Sequence, residues 1–131
     1  MTQIHTIGTI TGIAGYDIHT RNLINAIDKI IPVRLTTNIF QGQEQQLTDR
    51  ELQMLKRKQV KDEINLMITL PNQWKLYTTN KRNWGFCVWE GDKVPESWIE
   101  EFMNPDIEYI LVPSNHTKQA ICNTILDSFI I

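Results

Sequence analysis

Three short segments of this 131-residue chain concentrate residue types that bind ligands or do chemistry. The first, GIAGYDIH, carries Gly12, Gly15, Tyr16, Asp17 and His19. The second sets Glu90, Gly91 and Asp92 directly after the apolar run WGFCVW. The third places Pro113, Ser114, Asn115 and His116 after the run YILV. A glycine turn lets backbone amides approach an anionic group at a helix N-terminus. A carboxylate such as Glu90 accepts hydrogen bonds from hydroxyls, sugar hydroxyls included. Each residue also has a plainer job. The glycines serve a tight turn, His19 packs on a helix stripe with Leu23, and Glu90 caps a backbone turn. Asp92 stabilises its own turn and the N-terminus of the helix that follows. Trp84, Trp89 and Trp98 fill the core rather than stack on a ligand. Residue types alone leave both sets of roles open.

Several reactions are not encoded in any pattern of this chain. GIAG is not the full G-x-G-x-x-G fingerprint and has no phosphate-loop lysine. There is no Ser-His-Asp order, no H-E-x-x-H pair and no metal-ligand cluster. Glu90 and Asp92 stand two residues apart, and a glycosidase pair is defined by spatial separation instead. No residue is assigned a catalytic role, and neither cofactor nor metal is expected.

The elements that must position these segments alternate. Ile4–Thr11 is β-branched and ends in glycine, as a first strand does. Asp17 opens a helical pattern through Leu23, Ala26, Ile27, Ile30 and Ile31, which Pro32 ends. PVRLTTNIF is a second strand. Thr48 and Glu51 form a capping box, with Leu47 and Leu52 as a hydrophobic staple. Lys56, Arg57, Lys58 and Lys61 suit that helix's C-terminal end, as a solvated face or a binding patch. INLMITLP reads as a strand buried on both faces, the mark of a parallel sheet covered by helices. WKLYTT is a short extra strand or a loop. WGFCVWE is the next buried strand. Pro95 opens a helix with Trp98, Ile99, Phe102 and Met103 inward. EYILVPS is a fifth strand. Ser114 caps a last helix with Ala120, Ile121 and Ile125 inside. The expected fold is therefore α/β, a three-layer, Rossmann-like, doubly wound and mostly parallel sheet with helices on both faces, in one domain spanning 1–131. Such sheets bind ligands at the carboxyl ends of their strands, where all three segments fall.

Composition sets outer limits. Hydrophobic residues are 41% and charged residues 21%, the balance of an ordered globular chain. A net charge of −2 gives no basic field for nucleic acid. Cys87 and Cys122 make no disulfide framework, and Cys87 inside an apolar run acts as a small hydrophobe. With no signal-peptide pattern and no long apolar span, the expected location is cytoplasmic, with a membrane-surface association left open. The chain finishes on the apolar stretch SFII, as though cut before a further element.

The second half of the chain resembles a known family. Gly85-Phe86, Glu90, Asp92, Pro95 and Trp98, followed by Asp106, Val112, Pro113, Ser114, His116, Thr117 and Lys118, resemble the N-terminal domain of GT-B glycosyltransferases, enzymes built of two Rossmann-like domains. The likeness is to the large retaining group, glycosyltransferase group 1 or family 4, that includes sucrose-synthase-like and mannosyltransferase-like enzymes. It runs from about Ile4 to Ile125, with GYDIHTRNLINAI after the first strand; Gln41 to Asn80 match in pattern alone. The resemblance implies an acceptor-binding domain that is inactive alone. A missing C-terminal domain or partner chain would bind the nucleotide-sugar donor. It puts Gly15 and Tyr16 in the cleft turn, and His19, Glu90 and Ser114 on the acceptor side, facing a sugar or glycan. A cleft face left bare would also favour weak homodimerisation. The alternative is a stand-alone, non-catalytic binding module on the same fold, and a flavodoxin-like nucleotide or flavin carrier ranks behind it.

Overall fold

Ile4 and Thr6 stand in register with Val33 and Leu35 on one side and with Ile64 and Leu66 on the other. That pairing builds the centre of the first of two units into which the chain divides, Met1–Ile68 and Thr69–Ile131. The structure, a computed structural model, describes residues 2–10, 15–37 and 46–129, with the side-chain surroundings of 15, 16 and 127–129 outside the description. The first unit contains β1 (Gln3–Ile7), α1 (Gly15–Asp28), β2 (Val33–Thr36), α2 (Asp49–Lys56) and β3 (Glu63–Met67). Its β1 pairs parallel with both β2 and β3. The second unit contains α3 (Trp74–Tyr77), β4 (Arg82–Phe86), α4 (Ile99–Phe102), β5 (Ile107–Leu111) and α5 (Asn115–Phe129), with β4 parallel to β5. The fold is α/β and Rossmann-like, with a five-stranded, all-parallel sheet. Among the described residues no helix is long and apolar enough to cross a membrane.

Every residue of β3 is buried, so both its faces are covered, as INLMITLP requires. The two faces differ in chemistry. One carries Ile4, Thr6, Val33, Leu35, Ile64 and Leu66, all buried. The other carries Gln3, His5, Arg34 and Glu63, bound to one another or to their neighbours. Arg34 grips the Glu63 carboxylate through two nitrogens, at 2.9 and 2.6 Å, and Gln3 Nε2 donates to it at 2.8 Å. His5 is buried with Nε2 2.8 Å from the Thr36 hydroxyl. Burial, and then the nearby Arg34 charge, lower its pKa. β1 is shorter than the expected Ile4–Thr11 and ends at Ile7, next to Gly8, where the chain passes too close to its neighbours for a side chain. A Cβ there would lie 3.1 Å from both the Ile68 carbonyl and Thr20 Cγ2. Thr11, Gly12 and the NIF tail of the second strand lie outside the described residues.

Helix α2 starts as its sequence dictates. Thr48 Oγ1 accepts from the Glu51 amide at 3.2 Å, and Glu51 Oε1 accepts from the Thr48 amide at 2.9 Å. Its basic end departs from the solvated-face reading at one position. The Arg57 guanidinium bonds to Asp28 and donates to the Val33 carbonyl at 2.8 Å. Asp28 also accepts from the Val33 amide at 2.9 Å and from Arg50 at 2.8 Å. One carboxylate thus joins the end of α1, the start of β2 and both ends of α2. Lys56, Lys58 and Lys61 are exposed.

WKLYTT is neither strand nor loop. Pro71 opens a 3₁₀ turn, Pro71–Gln73, that runs directly into α3. Proline at the first helical position lacks only a donor that would have no partner. Trp74 is fully buried and packs edge-on to Phe102, with ring centroids 5.8 Å apart. The residue that admits it is Gly85 on β4, where a Cβ would sit 2.5 Å from the indole. Pro95, expected at the first helical position, stands one residue earlier, as the cap of the 3₁₀ turn Glu96–Trp98 that leads into α4.

Candidate functional site

The carboxyl end of β4 leads into a turn that the first helical turns of α5 hold by its backbone. Thr117 donates its hydroxyl to the Trp89 carbonyl at 3.2 Å. The His116 Nε2 lies 3.0 Å from the Glu90 carbonyl, so this nitrogen carries the proton and donates it. Farther along α5, Asn123 Nδ2 donates to the Asp92 carbonyl at 3.3 Å, and the Thr124 hydroxyl accepts from the Val94 amide at 2.8 Å. Residues 116, 117, 123 and 124 recur at the seven-residue spacing of one helix face. Ala120 and Ile121 lie buried between them. The side chain of Glu90 takes no part in this strapping. Its carboxylate is exposed and carries no hydrogen bond among the described residues.

Beside this turn lies an open pocket of about 410 Å³, lined by Val88, Trp89, Glu90 and Gly91. Trp89 is half-buried, held edge-on against Trp98 with centroids 5.1 Å apart, while its Nε1 donates to the Lys93 carbonyl at 2.5 Å. Gly91 permits that closure, since a Cβ would stand 2.8 Å from the indole nitrogen. The pocket therefore offers a fixed aromatic wall beside an ionisable acceptor, an arrangement able to bind a hydroxyl-rich molecule. Cys87, two residues from the pocket's tryptophan, is buried, and burial pushes its thiol up to about 11, so it is no nucleophile.

Of the residues singled out from the sequence, Glu90 and Ser114 fall at the carboxyl ends of β4 and β5 in the second unit, and α5 brings their segments together. Ser114 is exposed, and its Oγ accepts from the Thr117 amide at 3.2 Å as the cap of α5. Its neighbour Thr117 is the residue that bonds Trp89, so the cap and the strapped turn are one hydrogen-bonded unit. Gly15, Tyr16 and His19 lie in the first unit, in the opening turns of α1, where His19 is half-buried with Nε2 inward. Gly12 lies outside the described residues. Asp17 accepts from the Thr9 hydroxyl, a turn-stabilising bond that ties the loop after β1 to α1. Trp98 is core, as the helix stripe implied, and Trp84 is half-buried against Tyr109.

Sequence reasoning passed over Asn123 and Thr124, and named Thr117 only as part of the family-like segment, with no role. Their only trace in the sequence is a polar residue repeated at seven-residue spacing beside the apolar stripe of α5, which a search for apolar periodicity ignores. Among the described residues no cluster of three or more His, Cys, Asp or Glu is placed to hold a metal ion. Comparison with protein-family models, with curated proteins and with solved structures returns no match.

Proposed function

We propose that this chain is the acceptor-side domain of a GT-B-type glycosyltransferase. It would be the half that holds the sugar or glycan acceptor of an enzyme whose donor-binding domain lies elsewhere, and it is inactive alone. The observation that carries the reading is the turn at the end of β4. Glu90 presents a carboxylate with no hydrogen bond among the described residues to a pocket walled by Trp89, while His116 and Thr117, in the first turn after the Ser114 cap, fasten that turn by its carbonyls. Both halves of the motif pair that resembles the family meet in this hydrogen-bonded junction. A hydroxyl-bearing acceptor placed there donates to Glu90, and the fixed backbone keeps the carboxylate's position constant as the acceptor exchanges. Cytoplasmic location and a nucleotide-sugar donor belong to the same proposal.

A non-catalytic binding module on the same fold is the second reading, and one observation favours it. The Ser114 hydroxyl, an acceptor contact by resemblance, is engaged in capping α5. Saturation-transfer NMR on the chain with a panel of monosaccharides, disaccharides and glycolipid headgroups separates the two. The glycosyltransferase reading expects transfer to at least one saccharide, with amide shifts at 88–91. Glu90→Gln should weaken binding about tenfold, the cost of replacing a charged acceptor by a neutral one. Absence of transfer across the panel, or binding indifferent to Glu90, removes the support for an acceptor site.

A further inference from the structure

At the opposite ends of β4 and β5, before the strands begin, the second unit holds another pocket of about 420 Å³. Its walls are Lys75 of α3, Glu100 and Glu101 of α4, and Met103, Asn104 and Pro105 of the connection into β5. Glu101 is only 5% exposed, and its Oε2 is buried without a hydrogen-bond partner. A buried carboxylate oxygen in this condition is costly unless something donates to it, and buried charges are ordinarily paired. The other walls narrow what that partner is. Glu100 and Glu101 against Lys75 leave the lining one negative charge in excess. Asn104 adds an amide that donates and accepts, while Met103 and Pro105 add apolar surface. The volume far exceeds that of a single cation, and no group of three or more His, Cys, Asp or Glu among the described residues is placed to hold a metal.

We propose that this pocket binds a small organic monocation through an N–H-bearing head, a guanidinium or primary ammonium group. The head donates to Glu101, the Asn104 side-chain carbonyl takes a second N–H, and the carbon tail lies along Met103 and Pro105. Guanidinium suits the site best because its planar fork satisfies both oxygens of one carboxylate. Lys75 is the built-in competitor, a cation of the same class at the edge of the same site. The site is separate from the Glu90 pocket, so either assignment can fail without the other.

The test is a titration of the full chain, followed by ¹H–¹⁵N NMR, with ethylguanidinium and n-butylammonium chlorides. Tetramethylammonium chloride, which has charge but no N–H, and sodium chloride serve as controls. Saturable shifts at Glu101, Met103 and Asn104 are expected with the first two and not with the controls. Glu101→Gln should weaken binding about tenfold or more, the loss of a charge-assisted hydrogen bond. Glu100→Gln, at an exposed residue, should weaken it less. Should the Glu101→Gln chain not fold, Lys75→Met decides the matter. Lys75 is exposed, and removing the competing cation is expected to tighten binding by up to about tenfold. Shifts that never saturate, equal shifts with tetramethylammonium, or binding unchanged by Glu101→Gln overturn the proposal and leave a water-filled pocket. In the Lys75→Met arm, unchanged or weaker binding does the same.

Discussion

At the scale of single residues, the most consequential side chain outside the candidate site is Glu51. Its sequence signature, an acid three residues after a threonine cap, predicts one hydrogen bond. The structure gives it four bonds from three partners. Arg21 Nε and Nη2 donate at 2.7 and 2.6 Å, Asn25 Nδ2 at 2.9 Å and the Thr48 amide at 2.9 Å, with the carboxylate fully buried. Burial by itself would raise the pKa. The bonds from Arg21, Thr48 and Asn25 overcome it and bring the carboxyl down to about 2. Removing the carboxylate leaves Arg21 without its buried counter-charge and α2 without its capping box. Glu51→Ala is expected to cost about 3 kcal/mol of stability, read by denaturant unfolding. A loss below about 1 kcal/mol, the value of an exposed ion pair, would mean the network contributes far less than its geometry implies. The capping half of this role was legible in the sequence because it is local. The Arg21 half was not, since it joins residues 30 apart.

At the scale of elements, what the sequence disclosed followed the same division. Strands and helices with strong local signals were legible: the first turn of α2, the doubly buried β3 and the apolar stripes of α4 and α5, save that Met103, expected inward with Trp98 and Phe102, is exposed because it follows the last turn of α4. The short helical turn at Pro71–Tyr77 was not. A three-residue 3₁₀ turn followed by four helical residues is too short to show a helical period. What holds it is the insertion of Trp74 opposite Gly85, a contact between a helix and a strand that no local pattern records. The motif glycine at 85 therefore has a packing reason independent of any ligand. Gly85→Ala drives a methyl to 2.5 Å from an indole that is itself fully buried. The expected loss is about 2–3 kcal/mol, with a drop in melting temperature and altered Trp74 near-UV dichroism. An alanine variant as stable as the parent would show that α3 shifts freely on β4. The candidate site divides likewise. Glu90 and Ser114 stood out as strand-end residues, whereas the grip of Thr117 on the Trp89 carbonyl depends on the folded position of α5.

At the scale of the whole molecule, ionisable groups with depressed pKa values lie chiefly in the first unit. Burial, with Arg34 second, lowers that of His5. In Asp28, Glu51 and Glu63 burial opposes ionisation, but hydrogen bonds and arginine charges prevail and lower each one. A group whose folded pKa is depressed stabilises the fold above its unfolded pKa, and that stability drains as pH falls toward the folded value. The loss starts near 6.5, the ordinary value for His5. It deepens below the ordinary carboxylate values of 4.5 and 3.8, and for Glu51 it continues down to about 2. Among the described residues of the second unit the lowered carboxyl is Glu108, which is held by Arg82 at an exposed position. Acid should therefore open Met1–Ile68 before Thr69–Ile131. Amide hydrogen exchange measured from pH 7 downward is expected to lose protection first at β1, β2 and α2. Simultaneous loss in both units, or earlier loss in the second, would contradict this distribution of charge.

The proposed function is itself a claim about a larger assembly, and one measurement reaches it most directly. The native species is immunopurified from its source with an antibody to this chain, and assayed for transfer of labelled sugar from nucleotide-sugar donors. The account predicts transfer, by a species that contains a donor-binding domain in the same polypeptide or in a partner chain. It also predicts that Glu90→Ala in that species weakens acceptor use. A native species made of these 131 residues alone, with no sugar transferred from any donor, would contradict it.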